Sequence, residues 1–230
     1  MKTVSVIIVA AGSGTRMNSS TPKQFLNLGN HTVLFHSIQR FLTLPSIIEI
    51  IVISPHNYLN STLLQDSIPT STSIPITIIA GGNQRQESVL NGLNAVSADA
   101  SIVCIHDGVR PLIRPKLIQK SIDLCEKYDG AIIAARSINT LKEVSGGTII
   151  RTLDRNTIWQ AQTPQTFRKT VIKKAYEYAL ENKHNATDDA GLVEAIGGNV
   201  AVVESTSWNI KITGPDDLLI AQTLLEKETP

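Results

Sequence analysis

Apolar residues along this chain form short continuous runs that alternate with segments of helical spacing. The runs Val4–Ala10, Ile47–Ser54 and Ile76–Ala80 have the length of strands and are largely apolar, which is typical of strands buried in a parallel sheet. Between the first two runs, Val33–Leu44 repeats its apolar residues at helical spacing and predicts a helix. The segment Leu59–Ser73 is polar and rich in Ser and Thr, and it predicts a loop or a loosely held helix.

The alternation of strand-like and helix-like segments continues well past the middle of the chain. It predicts an α/β fold with a Rossmann-like, mainly parallel sheet that has helices on both faces. In such a fold the ligand site lies at the carboxyl ends of the strands. We expect a single domain over residues 1–230, because a chain of this length can bury one sizeable core. Further elements are predicted as the strands Ser101–His106 and Gly130–Ala135 and the helices Gln84–Val96 and Lys116–Glu126.

The alternation breaks at Ser137–Gln162. Two β-rich stretches flank Ser145-Gly146-Gly147 there, a pattern that predicts a projecting β-hairpin arm at about residues 137–160. Such an arm cannot bury both of its faces against its own domain, so we expect it to pack on a second copy of the chain in a homodimer. The rest of the chain predicts the helices Lys169–Leu180, Asp188–Ile196 and Pro215–Lys227 and the strands Val200–Glu204 and Trp208–Thr213.

Composition narrows the class of protein. Hydrophobic residues make up 42% of the chain and charged residues 18%, as in soluble globular enzymes, and the net charge of +1 argues against a general binder of nucleic acid or membrane. Cys104 and Cys125 belong to no C-x-x-C or metal-spaced cluster, which favours reduced, buried thiols and a cytoplasmic location over the alternative of a disulfide. No apolar run approaches the roughly 20 residues that span a bilayer, and the N-terminal run continues into GSGTR instead of a signal-peptide cleavage site.

The first strand-like run ends in a glycine-rich segment, AAGSGTRM, that carries Arg16 and is followed by Lys23. Glycines let backbone N–H groups approach a phosphate, a following helix adds its positive end, and two cations neutralise charge that builds up in phosphoryl chemistry. The dinucleotide fingerprint would need a third glycine near Arg16, and the P-loop would need Gly-Lys-Ser/Thr, so neither motif fits. The segment predicts a polyphosphate cradle of another kind, and the alternative is an ordinary strand-to-helix turn.

Two polar clusters directly follow predicted strands. Gly81–Ser88 combines glycines with a polar helix start, which favours contact with a base or ribose over a simple turn and cap. In His106–Pro111, Asp107 is placed to hold Mg²⁺ against phosphate oxygens and Arg110 to bind a phosphate. The alternative is an Asp–Arg ion pair that only closes the loop. His106 is interpreted as a structural histidine.

Two clusters lie nearer the C-terminus. Asp154 and Arg155 belong to the arm, where a lone arginine is commonly a solvated surface charge. Alternation in the predicted strand Trp208–Thr213 sends Lys211 to the face opposite Ile210, from which it would reach the site, although a strand lysine is often a surface residue. Together the clusters indicate a cationic, Mg²⁺-using nucleotide pocket without a Ser/His/Asp grouping or a metal cluster of His or Cys.

In this order, the motifs resemble the polyol-phosphate cytidylyltransferases, and among them the 2-C-methyl-D-erythritol 4-phosphate cytidylyltransferase family. The resemblance spans nearly the whole chain and rests on AAGSGTRM, PKQF, HDGVRP, NTLK, DRNTIWQAQTPQTF, TDDAGLVEAIG and NIKITGPDDLLIA. It implies a Rossmann-like homodimer in which CTP and methylerythritol phosphate give CDP-methylerythritol and pyrophosphate, with a divalent cation, usually Mg²⁺.

The resemblance also implies roles for individual residues. Arg16 and Lys23 would stabilise the α-phosphorus and the departing pyrophosphate, and Asp107 would hold the metal. The acceptor phosphate is already an anion, so the reaction needs positioning and charge neutralisation but no general base. The nucleotide would be bound by Ala10, Ala11, Gly12, Gly14, Gly82, Ser88 and Gly108, and the acceptor by Arg110, Thr163 and Lys211 together with Thr140 and Arg155 from the arm of the other subunit.

Three positions depart from the family pattern: Val9 stands where Pro is frequent, Gly108 where Ala is commoner, and Asn139 where Asp is common. Asn139 changes the hydrogen bonding of the arm, because an amide can donate where a carboxylate only accepts. Two alternatives stay open. A ribitol-5-phosphate cytidylyltransferase would share PKQF, HD-x-VRP, QTPQTF and N-x-KIT, and a non-catalytic nucleotide-binding regulator would have no need for cations on both sides of one phosphorus.

Overall fold

The computed structural model describes residues 2–12 and 21–228, and its centre is a seven-stranded sheet. The strand order is β11-β7-β10-β6-β1-β4-β5, and neighbours are parallel except where β10 runs antiparallel to β6 and β7. The prediction of a mainly parallel sheet is therefore confirmed. The strands are β1 (Val4–Val9), β4 (Ile47–Ser54), β5 (Ile76–Ala80), β6 (Ile102–Asp107), β7 (Gly130–Arg136), β10 (Trp159–Arg168) and β11 (Val200–Ser205).

Helices cover both faces of this sheet. Alternate residues of a strand point to opposite faces, so Ile8 packs in a cluster with residues of α1 (Val33–Leu42) and α4 (Pro115–Leu124). Its neighbour Ile7 packs with residues of α3 (Arg85–Ala95) and α5 (Lys169–Glu181). Burial on both faces explains why the strands read as continuous apolar runs. The other helices are α2 (Thr62–Gln65), α6 (Asp189–Ala195) and α7 (Pro215–Glu228).

The arm contains the predicted hairpin. Strands β8 (Lys142–Ser145) and β9 (Thr148–Thr152) are antiparallel, and the turn between them places Gly146 at φ +55° and Gly147 at φ +79°, where residues with a Cβ are strained. Ile138 is 78% exposed and Val144, Ile149 and Ile150 are more than half exposed. That the arm serves dimerisation stays a prediction. A smaller antiparallel pair, β2 (Asn27–Leu28) with β3 (His31–Thr32), precedes α1.

Strand β10 is absent from the sequence-based prediction. It contains Pro164, and proline within a run argues against an internal strand because it cannot donate to a ladder. The register between β10 and β7 shifts between Ala161 and Gln165, so the pairing is interrupted where the proline lies. An irregular stretch of this kind lets a proline occupy a central strand.

The prediction of a strand at Trp208–Thr213 is wrong. This segment has no regular secondary structure, and the Ile212 N–H donates to the Val109 carbonyl oxygen at 2.9 Å in place of a ladder. Leu59–Ser73 contains the short helix α2 within otherwise irregular chain, which agrees with the predicted loop or loosely held helix. In residues 2–12 and 21–228, no helix combines the length and the apolar character needed to cross a bilayer.

Candidate active site

A cavity of about 370 Å³ lies at the carboxyl ends of β1, β5 and β6. This is the edge where parallel sheets of this kind bind ligands. It brings together the segment after β1, the Gly81–Ser88 cluster and Asp107, which are far apart in sequence. Its walls are formed by Val9, Ala10, Ala11, Gly12, Lys23, Gln24, Gly82, Asn83, Gln84, Arg85, Ser88, Asp107, Val109 and Lys211.

The backbone after β1 is held by Gln24, a residue to which the sequence analysis assigns no role. Its amide nitrogen donates to the carbonyl oxygens of Ala10 (2.7 Å) and Gly12 (3.1 Å), and the side chain is buried. These two bonds fix the start of the glycine-rich segment next to Lys23, which is 9% exposed. Gly14 and Arg16 lie outside the described residues, so their roles stay predictions.

The Gly81–Ser88 cluster is a preformed loop as well as a wall of the cavity. The Ser88 hydroxyl accepts from the Gly82 N–H at 3.1 Å and donates to the Gln84 carbonyl oxygen at 3.0 Å. A Cβ at Gly82 would overlap the Glu87 side chain, so glycine is required there. The turn and the proposed base contact are therefore compatible, because the same hydrogen bonds that close the turn shape the cavity.

Asp107 is the centre of a cluster of three cations. Its carboxylate lies 2.9 Å from Lys211 Nζ, 3.3 Å from Arg110 Nε and 3.6 Å from Arg85 Nε, and its side chain is only 8% exposed. Burial opposes ionisation, but the charges of Lys211, Arg85 and Arg110 outweigh it and hold the pKa of Asp107 well below its ordinary value. The carboxylate is therefore ionised throughout the neutral range. The Asp–Arg pair considered in the sequence analysis exists, but it is part of this larger cluster.

A buried hydrogen-bond network fixes the backbone of Asp107. The Thr163 hydroxyl accepts from the Asp107 N–H at 3.0 Å and lies 3.1 Å from His106 Nδ1, while His106 Nε2 lies 3.1 Å from the Arg110 carbonyl oxygen. Burial lowers the pKa of His106 to about 4. A neutral imidazole satisfies every partner: Nε2–H donates to Arg110, and Nδ1 accepts from Thr163. This geometry agrees with the structural interpretation of His106.

The depressed pKa of His106 makes folding sensitive to mild acid. Between its unfolded pKa of about 6.5 and its folded pKa of about 4, the unfolded chain binds a proton that the folded chain does not. We therefore expect the free energy of unfolding to fall as the pH drops through this window, by up to about 3 kcal/mol from this group. Urea denaturation at several pH values measures it. His106→Gln should flatten the slope and His56→Gln, at an exposed site, should not; an unchanged slope in His106→Gln would contradict the assignment.

A second cavity of about 230 Å³ adjoins the first. The two share Arg85, Asp107 and Lys211, so the cation cluster forms the boundary between them. The structure thereby brings together the three residues assigned to the acceptor from within one subunit. The second cavity is lined by Arg85, Asp107, Arg110, Ala161, Gln162, Thr163, Gln165, Thr187, Asp188 and Lys211.

Of the assigned residues that the structure describes, three line neither cavity. Thr140 and Arg155 are exposed on the arm, and Arg155 Nη1 donates to the Ile138 carbonyl oxygen at 3.3 Å. Gly108 is buried, and a Cβ there would lie 3.0 Å from Ala10 Cβ and 3.2 Å from the Val9 carbonyl oxygen. Gly108 thus lets β6 continue closely against β1, which is a packing role. The assignment of Thr140 and Arg155 to the acceptor therefore stays a prediction.

Comparisons with known proteins assign the family. The family model described as IspD: 2-C-methyl-D-erythritol 4-phosphate cytidylyltransferase matches residues 4–227. The chain belongs to this family. Relatives with the same name include a Syntrophus aciditrophicus protein, 44% identical over 98% of this chain and 97% of its own length, and a Clostridioides difficile protein, 41% identical over 97% and 94%.

Solved structures agree with the family assignment. A 4-diphosphocytidyl-2C-methyl-D-erythritol synthase from Anaerococcus prevotii superposes with a TM-score of 0.86 at 31% identity, covering 98% of this chain and 96% of the other. A 2-C-methyl-D-erythritol 4-phosphate cytidylyltransferase from Thermus thermophilus superposes with a TM-score of 0.80 at 29% identity, covering 98% and 100%. The chain therefore shares the fold of these structures over almost its entire length.

Of the described residues that line both cavities, Asp107 is the one whose chemistry fits a divalent cation. Among the described residues, no group of three or more His, Cys, Asp or Glu side chains gathers in a metal-binding arrangement. Mg²⁺ commonly binds through one or two carboxylates together with substrate phosphates and water. Asp107 supplies one ionised carboxylate to both cavities, and it suits that mode of binding.

Several residues around the second cavity carry no role in the sequence analysis. Thr187 and Asp188 belong to the TDDA motif, to whose side chains the sequence analysis assigns no function. Gln165 belongs to QTPQ, in which only Thr163 has an assigned role. Arg85 lies within the Gly81–Ser88 cluster, which was interpreted through its glycines and its cap. Its position at the boundary of both cavities depends on the tertiary fold and carries no local signal.

Proposed function

We propose that this chain transfers the cytidylyl group of CTP to 2-C-methyl-D-erythritol 4-phosphate, releases pyrophosphate and so serves isoprenoid biosynthesis, in keeping with the names of its relatives. The observation that carries the proposal is the pair of adjoining cavities that meet at the Asp107 cluster. CTP occupies the larger cavity, with its base toward Gly82 and Ser88. The polyol phosphate occupies the smaller cavity, with its phosphate toward Arg110 and Lys211.

The reaction joins two anions, so its barrier is electrostatic. An oxygen of the acceptor phosphate bonds to the α-phosphorus of CTP, and the bond from that phosphorus to the bridging oxygen of the β-phosphate breaks, which releases pyrophosphate. Lys211 and Arg110, held beside Asp107, reduce the repulsion as the acceptor approaches. Lys23, on the nucleotide side, neutralises charge on the departing pyrophosphate, and Arg16 is assigned the same task.

Asp107 is the residue that would hold the divalent cation. When bound, the cation supplies charge neutralisation to the triphosphate. The protein contributes a carboxylate kept ionised by its three cationic neighbours, with a backbone anchored by Thr163 and His106. These contacts keep the carboxylate oriented toward the boundary of the cavities.

We further propose that the enzyme works as a homodimer whose arms complete the acceptor sites. Support comes from the apolar side chains of Ile138, Val144, Ile149 and Ile150, which a single chain leaves exposed. Thr140 and Arg155 lie on the same arm and away from both cavities of their own chain. A cytoplasmic location fits the use of CTP and the two buried, unpaired thiols of Cys104 and Cys125.

Mixed subunits test the shared site. We expect Arg155→Ala to raise the KM for the polyol phosphate, because the cation would grip that phosphate from the partner, and Lys23→Ala to abolish turnover at its own nucleotide site. At acceptor concentrations far below the raised KM, dimers reassembled from the two variants should regain up to about a quarter of the parent activity, since half are mixed and one of their two sites is intact. Arg151→Ala, an exposed arm arginine paired with Glu143, serves as the control. Mixtures no more active than the separate variants would contradict the shared site.

A further inference from the structure

Arg85 occupies an unusual place for a cation. It is the first residue of α3, where the positive end of the helix dipole disfavours positive charge. It nevertheless lines both cavities, and its side chain is 31% exposed. A charge kept at an unfavourable helix position, beside two cavities assigned to phosphates, requires something that holds it there.

Asp189 and Tyr176 supply that hold. Arg85 Nη2 donates to Asp189 Oδ2 at 2.7 Å, and the Tyr176 hydroxyl donates to Asp189 Oδ1 at 2.6 Å. Asp189 is fully buried and Tyr176 is 2% exposed. The backbone N–H of Asp189 donates in turn to Gln165 Oε1 at 3.0 Å, which ties the backbone at Asp189 to β10. Each carboxylate oxygen therefore has a donor, and the arginine is anchored from the protein interior.

This anchor leaves the other N–H groups of the guanidinium at the boundary of the two cavities. Arg85 Nε lies 3.6 Å from Asp107 Oδ1, close enough for attraction but too far for a normal hydrogen bond. Among the described residues, Arg85 Nη1 donates no hydrogen bond. If Asp189 lost its charge, the ion pair that opposes closure of Arg85 onto Asp107 would be removed. The guanidinium would then pair with the Asp107 carboxylate and would no longer face the substrates.

We propose that Asp189 and Tyr176 are positioning residues that hold the Arg85 guanidinium at the boundary of the two cavities, where its remaining N–H groups face the phosphate oxygens of the reacting substrates. The inference rests on the proposed occupancy of the cavities by CTP and a polyol phosphate. It assigns to the TDDA motif and to α5 a task in catalysis that they perform through Arg85.

A double-mutant cycle tests the inference, because residues that act through a common group have non-additive effects. We expect Arg85→Ala to lower kcat by about 100-fold, Asp189→Asn by about 30-fold and Tyr176→Phe by about 5-fold, with the Kd for CTP changed less than about 3-fold. In the Arg85→Ala background, Asp189→Asn and Tyr176→Phe should each change kcat by less than about 2-fold. Tyr178→Phe, on the exposed side of the same helix, is the matched control and should leave kcat unchanged.

Equal losses from Asp189→Asn in both backgrounds would overturn the inference, since the residue would then act on the fold and not through Arg85. Tyr176→Phe removes one oxygen and keeps the packed ring, so its cycle decides the matter if Asp189→Asn does not fold. Full kcat in Arg85→Ala together with a large loss in Lys211→Ala would overturn the positioning inference alone. Full kcat in both would remove the proposed assignment of the cavities as well.

Discussion

Replacing Lys23 with alanine should lower kcat by about a thousandfold, while the Kd for CTP rises by no more than about tenfold. Lys23 is 9% exposed and lines the nucleotide cavity beside the backbone that Gln24 fixes. Negative charge on the bridging oxygen and the pyrophosphate develops mainly in the transition state. A cation placed there therefore contributes more to turnover than to ground-state binding.

Steady-state kinetics and calorimetric titration with CTP separate the two effects for Lys23→Ala. Lys120→Ala, an exposed lysine on α4, is the control and should match the parent in both measurements. Equal factors in kcat and in CTP affinity would contradict the assigned role, because they would place the contribution of Lys23 in binding alone.

Asp107→Asn should cause the second large effect, a loss of kcat of about a hundredfold or more. The substitution removes the only negative charge that contacts Lys211, Arg110 and Arg85 together among the described residues. Three cations would then face one another around an amide. We expect the free energy of unfolding of the empty enzyme to fall by about 3 kcal/mol, because one member of a buried charge cluster is neutralised.

Anions should partly restore the thermal stability of the Asp107→Asn enzyme. Triphosphate added to the variant should raise its Tm by more than it raises the Tm of the parent, since the unopposed cations gain a partner. Thermal unfolding with and without triphosphate measures the effect, and Asp66→Asn at an exposed site is the control. An unchanged Tm in the empty variant would contradict the view that Asp107 holds the three cations together.

Local patterns of apolar and polar residues predict much of the fold. β1 and β4 are largely apolar on both faces, and α1 repeats its apolar residues at helical spacing, so the pattern of apolar residues predicts the type of each element. The hairpin is signalled by two glycines that adopt positive φ. β10 and the irregular segment at Trp208–Thr213 escape such reasoning. Pro164 argues against a strand that the structure nevertheless contains. The alternation of polar and apolar residues around Lys211 is typical of a strand, but within the described part of the chain the segment pairs with no neighbouring strand.

The candidate site also has a part that the sequence predicts and a part that it does not. The Asp107 loop and the Gly81–Ser88 turn follow strands directly, so topology places them at one edge of the sheet. Lys23 comes later in the chain than the end of β1 and lines the same cavity. The link from Tyr176 through Asp189 to Arg85 joins three helices and has no sequence spacing of its own. Long-range contacts of this kind become visible only in the folded chain.

The most direct test of the account is pyrophosphate release by the purified chain with CTP and Mg²⁺, measured in parallel with 2-C-methyl-D-erythritol 4-phosphate and with ribitol 5-phosphate. We expect turnover with the methylerythritol phosphate and little or none with the ribitol phosphate. Turnover with ribitol 5-phosphate alone would keep the chemistry and contradict the assigned acceptor. Absence of turnover with both acceptors would contradict the proposal that the chain is an enzyme and would favour a nucleotide-binding regulator.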